Sequence, residues 1–428
     1  MSYKFETIQL HGGQYPDPTT GSRAVPIYQT SSYVFKNSEH AANLFSLKEE
    51  GNIYTRLGNP TTQVLEERIS ILEGGVGALA VASGAAAIAY TFLTIAKYGD
   101  EILSANNIYG GTYNFLTNTI VDYGITSNFF NPKFPEELYQ LITPKTKIIF
   151  IESLGNPSGD VVDIETICAI AHKFNIPVVV DNTFATPYLI KPFEYGADIV
   201  IHSATKFLGG HGTSIAGLIV DSGKFNWKDS KFETFNKPDS GYHGLKYSDL
   251  NDIAFITKAR VKTLRDTGAA LSPFNAFLIL QGIETLSLRV ERHVKNAREI
   301  ANFLSKNTEV NWISHPEFNK NSDKILIEKY LKKGATSIFT FGLNGGRERG
   351  KKFIDSLKLF SHLANVADAK SLIIHPASTT HGQLNDLELK KCGVKPETIR
   401  ISVGLENVDD LIKDLEHAIK SSKLGGSL

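Results

Sequence analysis

The sequence predicts an α/β protein: a large domain built on a mostly parallel sheet with helices on both faces, followed by a smaller C-terminal α+β domain. Three observations lead there. Between about Gly77 and Val220, short apolar runs alternate with amphipathic stretches, the pattern of strands joined by crossover helices. The runs themselves are apolar almost throughout, as strands covered on both faces are. Beyond residue 265 the rhythm changes to long helical periodicity and then to separate strands near SIFTFGL and TIRISVG.

Taken in order, residues 1–62 are rich in Gly, Pro, Tyr and Thr with no strong period, and read as an arm reaching across a surface rather than as a domain. The large domain, residues 63–265, carries ALAVAS followed by GAAAIAYTFLTIA, EILSA by TYNFLTNTIVDYG, and KIIFIES by DIETICAIAHKFN, then IPVVVDN, DIVIHSA and SIAGLIV. The next stretch, DSGKFNWKDSKFETFNKPDSGYHGLKYSDL, is polar and aromatic and reads as a long excursion outside the core. From Ile253 to about Lys306 the apolar residues recur at helical spacing, with a break at SPF near Pro273. The boundary to the C-terminal domain, residues 266–428, is placed in that helical region near Asp266.

Composition narrows the function. The chain of 428 residues has 45 basic and 45 acidic side chains, so no overall field draws it to nucleic acid or to an anionic membrane, and any anion must be held locally. Cys168 and Cys392 are neither numerous nor spaced for a disulfide framework or a zinc site, which fits a reducing compartment. His202, His211, His375 and His381 likewise lack metal-ligand spacing. The opening MSYKFETIQLHGG is charged where a secretory signal is apolar, and the uncharged span from Gly74 to Ala96 is rich in Gly and Ala, which suits a buried strand and helix better than a membrane crossing. Cytoplasmic location is expected.

In parallel α/β sheets ligands bind beyond the carboxyl ends of the strands, and three such places carry chemistry. Lys206 follows the strand DIVI, with Ser203 and Thr205 as hydroxyl neighbours and Gly209, Gly210 and Gly212 allowing close backbone approach. A lysine there is a candidate for a Schiff base with a carbonyl, or an ordinary solvated loop lysine. Asp181 ends VVVD, 25 positions earlier; it suits a partner for a pyridine nitrogen, and equally a turn or cap. Gly84, in AVASGAAAIAY, marks a strand-to-helix passage whose free N–H groups suit a phosphate. The glycine spacing fails the GxGxxG fingerprint and no acidic residue ends EILSAN, which counts against a dinucleotide. Together the three define a pyridoxal 5'-phosphate site; a non-catalytic nucleotide-binding module, with Lys206 as a phosphate cation, is the alternative from another class.

The segment DIVIHSATKFLGGHG, Asp198 to Gly212, resembles the signature of the Cys/Met metabolism family of pyridoxal-phosphate enzymes. NIYTRLGNPT, VASGAAAI, NNIYGGTY, ESLGNPSGDVVDI, VVVDNTFATPY, LQGIETLSLRVERH and HPASTTH resemble that family's blocks in its order. The resemblance implies the fold-type-I, aspartate-aminotransferase-like architecture, and it implies roles. Lys206 would be the Schiff-base lysine and general base, Asp181 the partner of the ring nitrogen, and Tyr109 the residue stacked on the ring and a possible acid/base group. Gly84, Ala85, Ser203 and Thr205 would hold the phosphate, joined by Tyr54 and Arg56 of a neighbouring subunit in a homotetramer with shared sites. Arg400 would clamp the substrate carboxylate, although on the residues alone it is equally the polar face of an edge strand; Asn156 and the backbone near Ser371 would complete the substrate contacts.

Within the family, NVADAKSLIIHPASTTH, Asn365 to His381, and the excursion containing GYHGLKY resemble the O-acetylhomoserine sulfhydrylase branch. Methionine γ-lyases carry a cysteine in the block after the ring-stacking tyrosine, where this chain has Gly111. The implied reaction is γ-replacement: acetate of O-acetyl-L-homoserine gives way to sulfide, or methanethiol, to yield L-homocysteine, or methionine. Cystathionine γ-synthase and methionine or cystathionine γ-lyase chemistry are the alternatives within the family. Nucleic acid, membrane and metal partners are not expected.

Overall fold

The computed structural model describes residues 3–319, 323–379 and 394–423. Among these, β1 (Gly77–Val81), β2 (Glu101–Ala105), β3 (Thr126–Phe130), β4 (Thr146–Glu152), β5 (Val178–Asp181), β6 (Ile199–Ser203) and β7 (Gly217–Asp221) form one sheet in the order β1-β7-β6-β5-β4-β2-β3. The pairings from β3 through β6 are parallel, and β7 runs antiparallel to both of its neighbours. Since β7 reverses twice, β1 points the same way as β6. The register sets Glu152 beside Asp181 and Asp181 beside Ile201. The carboxyl ends of β1, β4, β5 and β6 therefore share one edge, and the helix Gly84–Ile95 starts there.

The predicted runs are the strands. Every residue of TKIIFIE in β4 is buried, as a strand covered on both faces must be. The exception is β3, TSNFF, whose exposed and half-buried polar positions hide an edge strand from an apolar-run reading. The helical stretch after Ile253 also forms as expected: Ala254–Lys258 continues to Arg265–Thr267 and ends at left-handed Gly268, after which Pro273–Glu284 and Leu286–Ser305 follow.

A second sheet comprises β8 (Val310–Ile313), β9 (Ile338–Leu343), β10 (Ser361–His362), β11 (Leu372–Ile374) and β12 (Thr398–Ser402), in the order β10-β11-β12-β9-β8. Its core gathers Phe339, Phe341, Ile399, Ile401 and Val403 under Ala297, Ile300 and Leu304. The core of the first sheet runs on through Val290 and Val294. The two cores thus meet on the single helix Leu286–Ser305, while residue 266 lies in the shorter helix Arg265–Thr267. The arm docks by its first helix, Phe5–His11, where Gln9 exchanges two hydrogen bonds with Ser287 (3.0 and 3.1 Å), yet leaves Tyr15 and Val34 exposed.

The polar stretch after β7 is not an excursion outside the core. Its aromatic residues fold inward: Trp227 stacks on Phe235 at 4.3 Å between ring centroids and meets Phe232 edge-on, and all three join the main core with Tyr247 and Phe255. The polar residues between them concealed this. Lys258 ties the segment down; its buried ammonium donates to Thr94 O and Thr234 Oγ1, both at 2.7 Å, and lies 3.9 Å from the Phe235 ring centre.

Burial, aided by Lys262, pushes the Lys258 pKa down to about 7 from 10.5. Between those values the unfolded chain binds more protons than the folded one, so this group's penalty is full below pH 7 and fades as pH rises. Stability to urea should therefore climb from neutral to alkaline pH more steeply in the wild type than in Lys258→Met. Equal slopes in the two proteins would exclude Lys258 as the source.

Candidate active site

Lys206 sits in a tight turn just past β6. Its N–H bonds to Ser203 O (3.1 Å), its carbonyl accepts from Gly210 N (2.7 Å), and Gly209 N bonds to Ala204 O (2.9 Å). Thr205 Oγ1 is shared with the backbone of Ala216, accepting from its N–H (3.1 Å) and lying 3.3 Å from its carbonyl oxygen. The Lys206 ammonium donates to Asn365 Oδ1, an amide arriving from the loop between β10 and β11. Burial, with Arg400 adding repulsion, lowers the Lys206 pKa from that of an ordinary lysine. That shift enriches the neutral amine, the form that attacks a carbonyl.

Asp181 ends the neighbouring strand. Its Oδ1 accepts from Thr183 N (2.9 Å) and Thr183 Oγ1 (2.5 Å), and Thr183 Oγ1 in turn accepts from Ser203 N (2.8 Å), which ties β5 to the turn carrying Lys206. Burial raises the Asp181 pKa against those hydrogen bonds, so a cationic partner would be welcome there. Beside it lies Glu152, which the sequence reading missed. Burial, reinforced by Asp181, holds its pKa well above the usual carboxylate range, and its Oε1 accepts from Tyr109 N at 2.6 Å. A polar residue closing the apolar run KIIFIES was the available signal, the same one that marked Asp181.

The helix Gly84–Ile95 is capped by Ser83, whose Oγ accepts from Ala86 N at 3.1 Å. The N–H groups of Gly84 and Ala85 have no partner among the described residues, which leaves two donors and a positive helix end for an anion. A Cβ on Gly84 would lie 2.7 Å from Ser203 Cβ, so the helix end and the β6 turn close on one another only because residue 84 has none.

Arg400 lies in the middle of β12, opposite Ile374 and Thr340, with Ile399 and Ile401 turned into the second core. Its guanidinium makes no hydrogen bond or ion pair among the described residues, and burial lowers its pKa while Tyr109 opposes the shift. An unpaired guanidinium in that setting is a receptor for a carboxylate. Lys206, Arg400, Tyr109, Asp181, Ser203 and Gly84 thus come together, with Thr205 supporting the turn.

Other expected residues fare differently. Ser371 is engaged within the chain: its N–H and Oγ donate to Glu406 (2.6 and 2.8 Å), its Oγ accepts from Gly404 N, and its carbonyl accepts from Ser361 N. The loop residue that reaches the lysine is Asn365, six positions earlier. Asn156 is held through its N–H on Asn107 O (3.0 Å), next to the Tyr109 loop. Tyr54 is exposed, and Arg56 donates to Arg265 O; neither bonds to the site of its own chain. Among the described residues no group of three or more His, Cys, Asp and Glu is placed to hold a metal; His381 and Cys392 lie outside them. No described helix is long and apolar enough to cross a membrane.

The donor set fits pyridoxal 5'-phosphate: a half-buried amine whose pKa is lowered from the ordinary value, a carboxylate for a ring nitrogen and free N–H groups for a phosphate. Gly84→Ala, which forces the helix end off Ser203, should weaken binding of that cofactor about tenfold or more, by analogy with overpacking costs of ~1–3 kcal/mol. Equilibrium dialysis checks this, and wild-type affinity would remove Gly84 from the seat.

Residues 6–420 match the family model described as Cys/Met metabolism PLP-dependent enzyme. An O-acetyl-L-homoserine sulfhydrylase of Leptospira meyeri is 52% identical over 98% of this chain and 97% of its own. A homocysteine synthase of Schizosaccharomyces pombe is 48% identical over 98% and 99%. A Campylobacter jejuni crystal structure, described as an O-acetylhomoserine (thiol)-lyase and holding N'-pyridoxyl-lysine-5'-monophosphate, superposes with a TM-score of 0.95 at 42% identity over 98% of this chain and all of that one. The geometry and these likenesses agree: the chain belongs to the Cys/Met metabolism family of PLP-dependent enzymes.

Proposed function

We propose that this chain is an O-acetyl-L-homoserine sulfhydrylase, replacing acetate by sulfide, or by methanethiol, to give L-homocysteine, or methionine. The observation that carries the reading is the partly desolvated Lys206 amine within electrostatic reach of Arg400, whose guanidinium has no ion pair among the described residues. The names of the relatives, at about half identity over nearly the whole chain, support the choice of substrate.

Bound pyridoxal 5'-phosphate supplies an electron sink that acidifies the carbon next to an amino group. Gly84 and Ala85 N–H, with the hydroxyls of Ser203 and Thr205, would receive its phosphate, and Asp181 would pair with its ring nitrogen. Arg400 takes the carboxylate of the amino-acid substrate in a two-pronged grip, with Asn156 beside it. The free Lys206 amine would remove the proton at Cα and then one at Cβ. Asn365 Oδ1, which accepts from the Lys206 ammonium, would hold that group once it has taken a proton. The Cγ–O bond to acetate breaks, a Cγ–S bond to sulfide forms, and Lys206 returns the protons to Cβ and Cα. Tyr109, whose N–H donates to Glu152, would stack on the cofactor ring and serve as an acid/base group.

The exposed Tyr54 and the half-buried Arg56 of the arm would reach the phosphate of a neighbouring subunit in a homotetramer, Arg56 by leaving Arg265 O, which accounts for an arm that leaves large apolar side chains in solvent. The division into an arm of residues 1–62, a cofactor-binding domain of 63–265 and a C-terminal domain of 266–428 belongs to the same proposal, as does a cytoplasmic location.

Purified protein given O-acetyl-L-homoserine should form homocysteine only when sulfide is present. Dominant 2-oxobutanoate with sulfide present would mean a lyase. Lys206→Ala should lose turnover and the borohydride-reducible cofactor adduct. Arg400→Ala should raise KM for the amino acid by about 10- to 100-fold, the weight of ~1.5–3 kcal/mol for hydrogen bonds to a charged group; an unchanged KM would remove the carboxylate clamp.

A further inference from the structure

The block LQGIETLSLRVERH has no part in the chemistry above, yet the helix it begins, Leu286–Ser305, touches both halves of the site. Arg289 is buried and spends its whole fork on oxygens. Nη1 donates to Phe207 O (2.8 Å), Nη2 to Gly282 O (2.5 Å) and Leu208 O (3.4 Å), and Nε to Thr285 Oγ1 (3.1 Å). Phe207 and Leu208 are the two residues after Lys206. No carboxylate pairs with Arg289 among the described residues, and burial brings its pKa down to about 10, which still leaves it a cation at neutral pH. The loop comes this close because Gly210, at φ +74°, has no side chain: a Cβ there would lie 2.1 Å from Arg289 Nη1.

One turn further along, His293 bonds through Nδ1 to Val403 O at 2.6 Å. Burial, with Arg289 adding to it, pushes its pKa down to about 4 against that hydrogen bond, so the ring is neutral and Nδ1–H is the donor. Asn296 Nδ2 donates to Gly404 O (3.0 Å) and Glu406 O (2.9 Å). Val403 and Gly404 continue β12 just beyond Arg400 and Ser402. Residues 289, 293 and 296 are four and three apart, hence on one helix face, and span about 10 Å of axis at ~1.5 Å per residue.

We propose that the Arg289–His293–Asn296 face is a positioning element that fixes the separation of Lys206 from Arg400, and with it the place of the substrate's Cα relative to its carboxylate. The proposal rests on the roles given above to those two residues. All three side chains bind backbone carbonyls, so they fix the course of the chain rather than one rotamer. Only a planar fork spans two successive carbonyls, and a lysine at 289 would reach one at best. One end of the face governs the amine, the other the carboxylate.

The two ends give separable readouts in the holoenzyme. Asn296→Ala should weaken binding of the unreactive amino acid L-norvaline by about five- to tenfold and raise KM, while the pH midpoint of the cofactor's visible band stays at the wild-type value. Arg289→Lys should move that midpoint and lower kcat by about tenfold or more, since displacement by about an ångström costs up to ~100-fold in rate. Variants that fold and lose only melting temperature, with band midpoint, kcat, KM and norvaline affinity unchanged, would overturn the proposal. Controls separate this from failure of the underlying roles: a borohydride-reducible adduct surviving in Lys206→Ala, or wild-type norvaline affinity in Arg400→Ala, would remove the reading on which the proposal rests, and the proposal with it.

Discussion

Two half-buried cations, Lys206 and Arg400, lie within electrostatic reach of one another without a carboxylate paired to either among the described residues, and each has its pKa lowered by burial. Left alone, such groups are costly, because desolvation opposes charge and Arg400 adds repulsion to Lys206. The cleft relieves that cost by receiving anions. The free N–H groups of Gly84 and Ala85 ask for one as well. A ligand pair consisting of a phosphate-bearing carbonyl compound and an amino acid satisfies all of these demands, which is why charge placement identifies the chemistry more firmly than the fold does.

The carboxylates are arranged on the opposite principle. Asp181 and Glu152 sit side by side at the ends of β5 and β4, and burial raises both pKa values, with Asp181 adding repulsion to Glu152. Asp181 has the stronger claim to the charged form, since two hydrogen bonds from Thr183 support it. Glu152 instead holds the Tyr109 backbone and is kept towards its neutral state. Hydrogen bonding rather than residue type thus divides the two: Asp181 is supported as an anion, while its neighbour holds the Tyr109 loop. Behind both, the buried strands of the first sheet and the core under β9 and β12 give these side chains a rigid base.

Lys206, Asp181 and Gly84 were legible in the sequence because each follows an unbroken apolar run, and the topology of parallel strands brings such ends to one edge. Arg400 was legible as a polar residue between buried isoleucines, though only the fold shows that its face is the cleft. The commitment of Ser371 to Glu406, 35 positions away, was not legible, because hydrogen bonds between a loop and a distant segment leave no local trace. Asn365 was missed for a related reason, since the lysine it meets is 159 positions away. Short or polar strands such as β3, β10 and β11 carried too little period to be seen, and the aromatic cluster around Trp227 was masked by the polar residues between its members.

The central claim is that Lys206 is poised by desolvation and by Arg400. The direct measurement is the pH dependence of the rate at which pyridoxal 5'-phosphate reacts with Lys206 in cofactor-free protein, for wild type and Arg400→Met. The account predicts a wild-type midpoint below that of an ordinary lysine and a higher midpoint in the variant. Identical midpoints at the ordinary value of 10.5 would contradict it.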